Sequence, residues 1–179
     1  MSNDQRLWKI VLAGDGAVGK TSLRRSYLGE GFDAEYKATM GADFALYDTS
    51  VGDTQVRWQI WDLAGQPVFR DVTKAYYDRI FGGVLVYDIA RRETLDNVEK
   101  WLKDLWANSG RDLKVPVVLL ANKIDLREEG GEAVSTDEGR SLAERLEIPR
   151  FVETSAKTGD GVKVAFEHLG KDILKYTRR

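Results

Sequence analysis

Residues 14–21 read GDGAVGKT, after the apolar run LWKIVLA (7–13) and before SLRRSYL. The octet fits G-x-x-x-x-G-K-[ST], with Gly14 and Gly19 as the fixed glycines, and it sits between a strand-like and a helical stretch. That setting marks a phosphate-binding loop. Glycines let the backbone approach phosphates closely and turn successive N–H groups inward. The following helix adds its positive N-terminal end. The residues expected to hold phosphate are Asp15, Gly16, Ala17, Val18, Gly19, Lys20, Thr21 and Ser22. Lys20 is expected to neutralise β- and γ-phosphate oxygens, and Thr21 to offer its hydroxyl to Mg²⁺. The loop alone leaves ATP and GTP both open.

Outward from the loop, β-rich runs recur at 7–13, 43–47, 56–61, 82–88, 115–122 and 150–155. Helical patterns separate most of them. ETLDNVEKWLKDLW (93–106) puts Leu95, Val98, Trp101, Leu102 and Leu105 on one face. Ser135 and Glu138 have the spacing of a capping box at the start of 135–146. Residues 161–176 carry Val162, Phe166, Leu169 and Ile173 as an apolar stripe. Alternating strands and helices predict an α/β domain: a six-stranded, mostly parallel sheet with helices on both faces. The exception is 43–61, where the polar turn DTSVGDT joins two strands and predicts one antiparallel edge strand.

NKID (122–125) follows VPVVLL, so it falls at the C-terminal end of a strand, the edge where open α/β sheets bind ligands. Guanine presents two N–H donors on one edge, and the two carboxylate oxygens of Asp125 can accept both. Adenine has an acceptor there and would be repelled. Asn122 can serve the other side of the base or tie loops together, and the stem of Lys123 can lie along it. In TSAK (154–157), the Ala156 N–H can donate to guanine O6, and Ser155 and Lys157 flank it. These stretches predict a guanine nucleotide.

Composition limits the alternatives. The chain has 179 residues, enough for one domain, and is 42% hydrophobic and 31% charged, with a formal net charge of −2. Nothing in that balance suggests nucleic-acid binding. No apolar run reaches the roughly 18 residues of a membrane span. The N-terminal MSNDQRLW lacks the features of a signal peptide. There is no cysteine, hence no disulfide, thiolate metal site or cysteine-borne lipid, and an intracellular, reducing setting fits.

Taken together, GDGAVGKT, ATMGADF around Thr39, WDLAGQ (61–66), NKID and ETSAK resemble the Ras superfamily of small GTPases, most closely its Rab branch. The resemblance covers roughly residues 7–176 and implies a P-loop NTPase G domain filling the whole chain, 1–179. It implies binding of GTP or GDP with Mg²⁺, slow hydrolysis of GTP, and a switch acting through effectors, in membrane traffic among other settings. Asp62 matches the aspartate that holds Mg²⁺, Gly65 the glycine whose N–H reads the γ-phosphate, and Thr39 the threonine reaching both. Phe32 stands where the family sets an aromatic against guanine, and Tyr36 where it sets one over the phosphates. Gln66 matches the residue that orients the attacking water. No arginine is placed as a finger in cis, so an activating protein is implied, and Gly16 leaves room for that protein's arginine. Phe44, Trp61 and Tyr76 match an aromatic triad contacted by partners; the alternative is plain core packing. An exchange factor, a monomeric state and a cytoplasmic location, peripheral at membranes through partners or a further tail, complete the expectation.

Two departures stand out. Where the Rab pattern has an acidic residue after the glutamine, this chain has Pro67, which pushes Gln66 toward extended geometry and can open a helix. Rab-type chains usually end in prenylated cysteines, whereas this sequence ends KYTRR, so membrane attachment is not implied. Two rivals stay open: a pseudo-GTPase scaffold that holds GTP without turnover, and a P-loop kinase acting on ATP.

Overall fold

The computed structural model describes residues 5–35 and 37–178; Tyr36 lies outside the described residues. The elements are β1 (Arg6–Ala13), α1 (Lys20–Tyr27), β2 (Ala42–Val51), β3 (Thr54–Leu63), α2 (Arg70–Thr73), β4 (Gly82–Asp88), α3 (Arg92–Asp96), α4 (Val98–Asn108), β5 (Val117–Asn122), α5 (Thr136–Arg145), β6 (Arg150–Thr154) and α6 (Val162–Tyr176). Short 3₁₀ turns cover Pro67–Phe69, Lys74–Tyr77 and Ile124–Glu129.

The strands form one six-stranded sheet in the order β2-β3-β1-β4-β5-β6. All neighbours run parallel except β2, which pairs antiparallel with β3 at the edge. Alternation along each strand sorts side chains onto two faces. Ile10 and Leu12 of β1 and Val84 and Val86 of β4 join Leu23 of α1 and the α6 stripe of Phe166, Leu169 and Ile173. Val11, Ala13, Leu85 and Tyr87 meet Trp101, Leu102 and Leu105 of α4 on the other face. Each fully buried apolar side chain of this kind contributes roughly 1.5–3 kcal/mol. Every residue of β4 and β5 is buried, which is why both read as nearly unbroken apolar runs.

Two readings change in detail. The polar stretch DTSVGDT is mostly strand, and only Gly52 and Asp53 make the turn. Its polar side chains pair across the hairpin: Arg57 Nε and Nη2 donate to the Asp48 carboxylate at 2.6 and 2.8 Å. On a solvent-facing edge strand such pairs replace apolar contacts, so polarity did not mean loop. The helix read over 93–106 runs as α3 and α4, which meet at Asn97 and reach from Arg92 to Asn108. Among the described residues no helix is long and apolar enough to cross a membrane.

β1 is the strand from which the sheet winds both ways, to β3 on one side and β4 on the other. The loop leaving its C-terminal end therefore opens at the switch point of the sheet. Asp62, Asp88, Asn122 and Thr154 end or nearly end their strands at one level, with Leu12↔Asp62, Asp88↔Asn122 and Asn122↔Thr154 in register.

Candidate functional site

The β1–α1 loop needs its glycines. Gly14, Ala17 and Gly19 hold φ of +148°, +63° and +101°. A Cβ on Gly14 would stand 2.2 Å from the Val86 carbonyl oxygen, and one on Gly19 would stand 2.4 Å from Asn122 Nδ2. Ala17 adopts the left-handed region without being glycine, a strained state that its surroundings must hold. Gly19 caps α1 with no side-chain hydrogen bond, which keeps the first helical amides free of a side-chain cap.

Lys20 folds back over this loop, and its Nζ donates to the carbonyls of Gly14 and Asp15, both at 2.8 Å. Burial pushes its ammonium down to about 8, against the upward pull of Asp62 and then Asp15. The Asp15 carboxylate turns to the opposite helix layer, where it accepts from Asn97 Nδ2 at 2.7 Å and Trp101 Nε1 at 2.8 Å.

Three oxygen-bearing side chains meet beside Lys20. Thr21 Oγ1 lies 3.1 Å from Thr39 Oγ1 and donates to Asp62 Oδ2. The other Asp62 oxygen, Oδ1, is buried with no hydrogen-bond partner among the described residues. Burial raises the Asp62 carboxyl, opposed first by the Thr21 hydroxyl and then by Lys20. One turn after Thr21, Arg24 Nη1 pairs with Asp43 at 3.0 Å, and Asp43 is the cross-strand neighbour of Asp62. Two hydroxyls and a carboxylate with an open oxygen are hard donors and suit Mg²⁺. Among the described residues no group of three or more His, Cys, Asp or Glu could hold a metal. That sparse protein contribution is also the habit of Mg²⁺.

The base corner is tied to the phosphate loop by Asn122. Its Nδ2 donates to the Val18 carbonyl at 2.8 Å, and its Oδ1 accepts from Thr154 Oγ1 at 3.1 Å. Lys123, at φ +71°, sends its ammonium to the Ala17 carbonyl at 2.7 Å and to the buried Asp88 carboxylate at 2.9 Å. Asp125 Oδ1 accepts from Ser155 Oγ at 2.6 Å. Ala156 is buried and Lys157 exposed.

A cavity covers the loop. Its wall includes Gly16, Ala17, Gly19, Lys20, Thr21, Ser22, Phe32, Thr39, Gly65, Gln66 and Lys123. Asp125, Ser155, Ala156 and Lys157 do not line this cavity; Asp125 and Ser155 bond each other, while Asn122 and Lys123 of the same NKID turn bond the loop. Gly65 is pressed onto the loop: a Cβ there would lie 2.4 Å from Asp15 C and Gly14 O. Gln66 is extended, with φ −75° and ψ 139°, and Pro67 opens the 3₁₀ turn that follows, as its ring geometry requires.

Beside the cavity, Phe44 stacks on Trp61 with centroids 5.0 Å apart, and Trp61 meets Tyr76 at 5.1 Å. Phe44 is 49% exposed, and Met40, Val68 and Val72 are also exposed. Trp61 and Tyr76 are half-buried and pack against the core, so of the three only Phe44 stands exposed.

Three contacts were not legible in the sequence. Arg91 Nη1 donates to the Gly16 carbonyl at 2.9 Å, from a stretch, ARRE, that matches no motif. Asn97 and Trp101 hold Asp15 although Trp101 reads as part of an apolar stripe. The one hint was its indole N–H, which needs a partner once the ring is buried.

Comparison with known proteins identifies the family. The model of the Ras family matches residues 9–175. The chain is 45% identical over 170 residues to Ras-related protein RABA5d of Arabidopsis thaliana, covering 95% of this chain and 75% of that one. It is 43% identical over 169 residues to Ras-related protein rab-11.1 of Caenorhabditis elegans, covering 94% and 78%. With Ras-related protein RABA5c of Arabidopsis thaliana the identity is 44% over 176 residues, covering 98% and 80%. The match runs through the phosphate loop, both segments folded against it and the base corner, so the chain belongs to the Ras family and is a small GTPase of its Rab branch.

Proposed function

We propose that this GTPase is a guanine-nucleotide switch in which the loop at 14–22 holds the phosphates, Asp125 reads the base, and Gln66 orients the water that attacks the γ-phosphate. The observation that carries the reading is the pair of hydrogen bonds made by Asn122, which joins Val18 of the phosphate loop to Thr154 of the base corner. Phosphate and base recognition thereby become one site.

Lys20 and the inward N–H groups stabilise charge on the transferring phosphoryl oxygens. Thr21, Thr39 and Asp62 hold Mg²⁺, which when bound neutralises phosphate charge. The Gly65 N–H senses the γ-phosphate, and Phe32 and Tyr36 close over the nucleotide. Ser155, the Ala156 N–H and Lys157 complete the base pocket. Loss of the γ-phosphate removes what keeps the Thr39 and Gly65 segments in place, and both relax. Hydrolysis is slow unaided, and Gly16 leaves room for an arginine from a GTPase-activating protein. An exchange factor reloads the site. Effectors contact the partly exposed surface around Phe44, Trp61 and Tyr76. The protein works as a monomer in intracellular membrane traffic and reaches membranes through such partners or a further tail.

The test is base discrimination. Replacing Asp125→Asn removes a charged acceptor and lowers GTP affinity by about two orders of magnitude, while ATP binding stays weak. Competition of GTP and ATP against a fluorescent GDP reads this directly. Unchanged preference for GTP would remove Asp125 from the base site.

A further inference from the structure

Every carbonyl from Gly14 to Gly19 accepts a hydrogen bond. Lys20 takes those of Gly14 and Asp15, Lys123 that of Ala17, Asn122 that of Val18, and the Leu23 amide that of Gly19. The remaining carbonyl, that of Gly16, is taken by Arg91 at 2.9 Å, across 75 residues of sequence. With each carbonyl bonded, the peptide units of the loop are fixed in orientation.

The bonds from Arg91 and Lys123 bracket Ala17, the non-glycine residue held at φ +63°. Arg91 fixes the peptide before it and Lys123 the peptide after it. Both anchor at Asp88. The Lys123 ammonium pairs with the Asp88 carboxylate at 2.9 Å, and the Arg91 amide donates to the Asp88 carbonyl at 3.0 Å. Thr94 Oγ1 donates to the Arg91 carbonyl at 2.7 Å, so the Arg91 backbone is held on both sides. Glu93 accepts from Arg91 Nε at 3.1 Å and orients the guanidinium. A surface arginine paired only with a nearby glutamate would need none of this.

We propose that Arg91 is a positioning residue for nucleotide retention: its bond to Gly16 holds the strained Gly16–Ala17 peptide so that the Ala17 N–H faces the phosphates. The charged donor also draws electron density from that peptide, which makes the Ala17 N–H a stronger donor. The inference rests on the phosphate loop binding guanine nucleotide.

The experiment uses the whole chain loaded with fluorescent GDP and Mg²⁺ and chased with unlabelled GDP. Arg91→Ala releases GDP about tenfold faster, the scale of a lost hydrogen bond from a charged donor, and Arg91→Lys recovers most of that loss. In ¹⁵N-labelled GDP complexes, the Ala17 amide proton of Arg91→Ala moves upfield more than that of any other loop residue. Release from Arg91→Ala at the unmutated rate, or an Ala17 resonance that does not move, overturns the proposal. If the unmutated chain holds no guanine nucleotide, the nucleotide reading itself fails and takes this inference with it. If the unmutated chain and Arg91→Ala hold GDP equally, only the role of Arg91 falls.

Discussion

Lys20 shows how one side chain can be both buried and useful. Desolvation pushes its ammonium down to about 8, and Asp62 and Asp15 offset this only in part. In the free protein it is therefore cationic below about pH 8 and increasingly neutral above, so phosphate binding at higher pH must take up a proton. Affinity for GDP falls about tenfold between pH 7 and pH 9, as measured by fluorescent-GDP titration at each pH; a flat profile would contradict the shift. Under the proposed function Gln66 acts later, in the transition state. Extended by Pro67 and on the cavity wall, it predicts that Gln66→Leu slows single-turnover hydrolysis about ten- to hundredfold and leaves GTP affinity unchanged. An unchanged rate would show Gln66 idle. The motif residues were legible because phosphate and guanine chemistry demands those types at those spacings. Arg91 was not, since no spacing rule selects which residue after β4 reaches the Gly16 carbonyl.

Elements divide in the same way. The capping box is local, so Ser135 and Glu138 announced the start of α5, and both of its bonds are present: Ser135 N donates to Glu138 at 2.9 Å and Glu138 N to Ser135 Oγ at 3.3 Å. Ser135→Ala costs about 1 kcal/mol, read from urea unfolding of the GDP-bound protein. A loss near zero would mean that the cap is carried by Glu138 alone, which also pairs with Arg92 Nη1 at 2.8 Å. Helices facing the core were legible from stripes such as Val162, Phe166, Leu169 and Ile173. The length of the β2–β3 hairpin was not. Its polar pairs, Asp48 with Arg57 among them, carry the signature of a loop until the partner strand is known.

At the scale of the whole molecule, the sheet order brings the ends of β1, β3, β4, β5 and β6 to one edge, and the site is assembled there from loops far apart in sequence. The strand–helix alternation made that sheet legible. The closeness of Asp15 to Asn97 and Trp101, or of Asn122 to Val18, follows only from the three-dimensional winding. Under the proposed function, the half-buried aromatics Trp61 and Tyr76, with exposed Phe44, would link nucleotide state to a partner surface. All of this depends on the chain turning over GTP and not ATP. The most direct test is single-turnover hydrolysis by the purified chain with Mg²⁺, GTP and ATP measured in parallel. Slow hydrolysis confined to GTP is the predicted result. Tight GTP binding with no turnover, or ATP hydrolysed as fast as GTP, would contradict it.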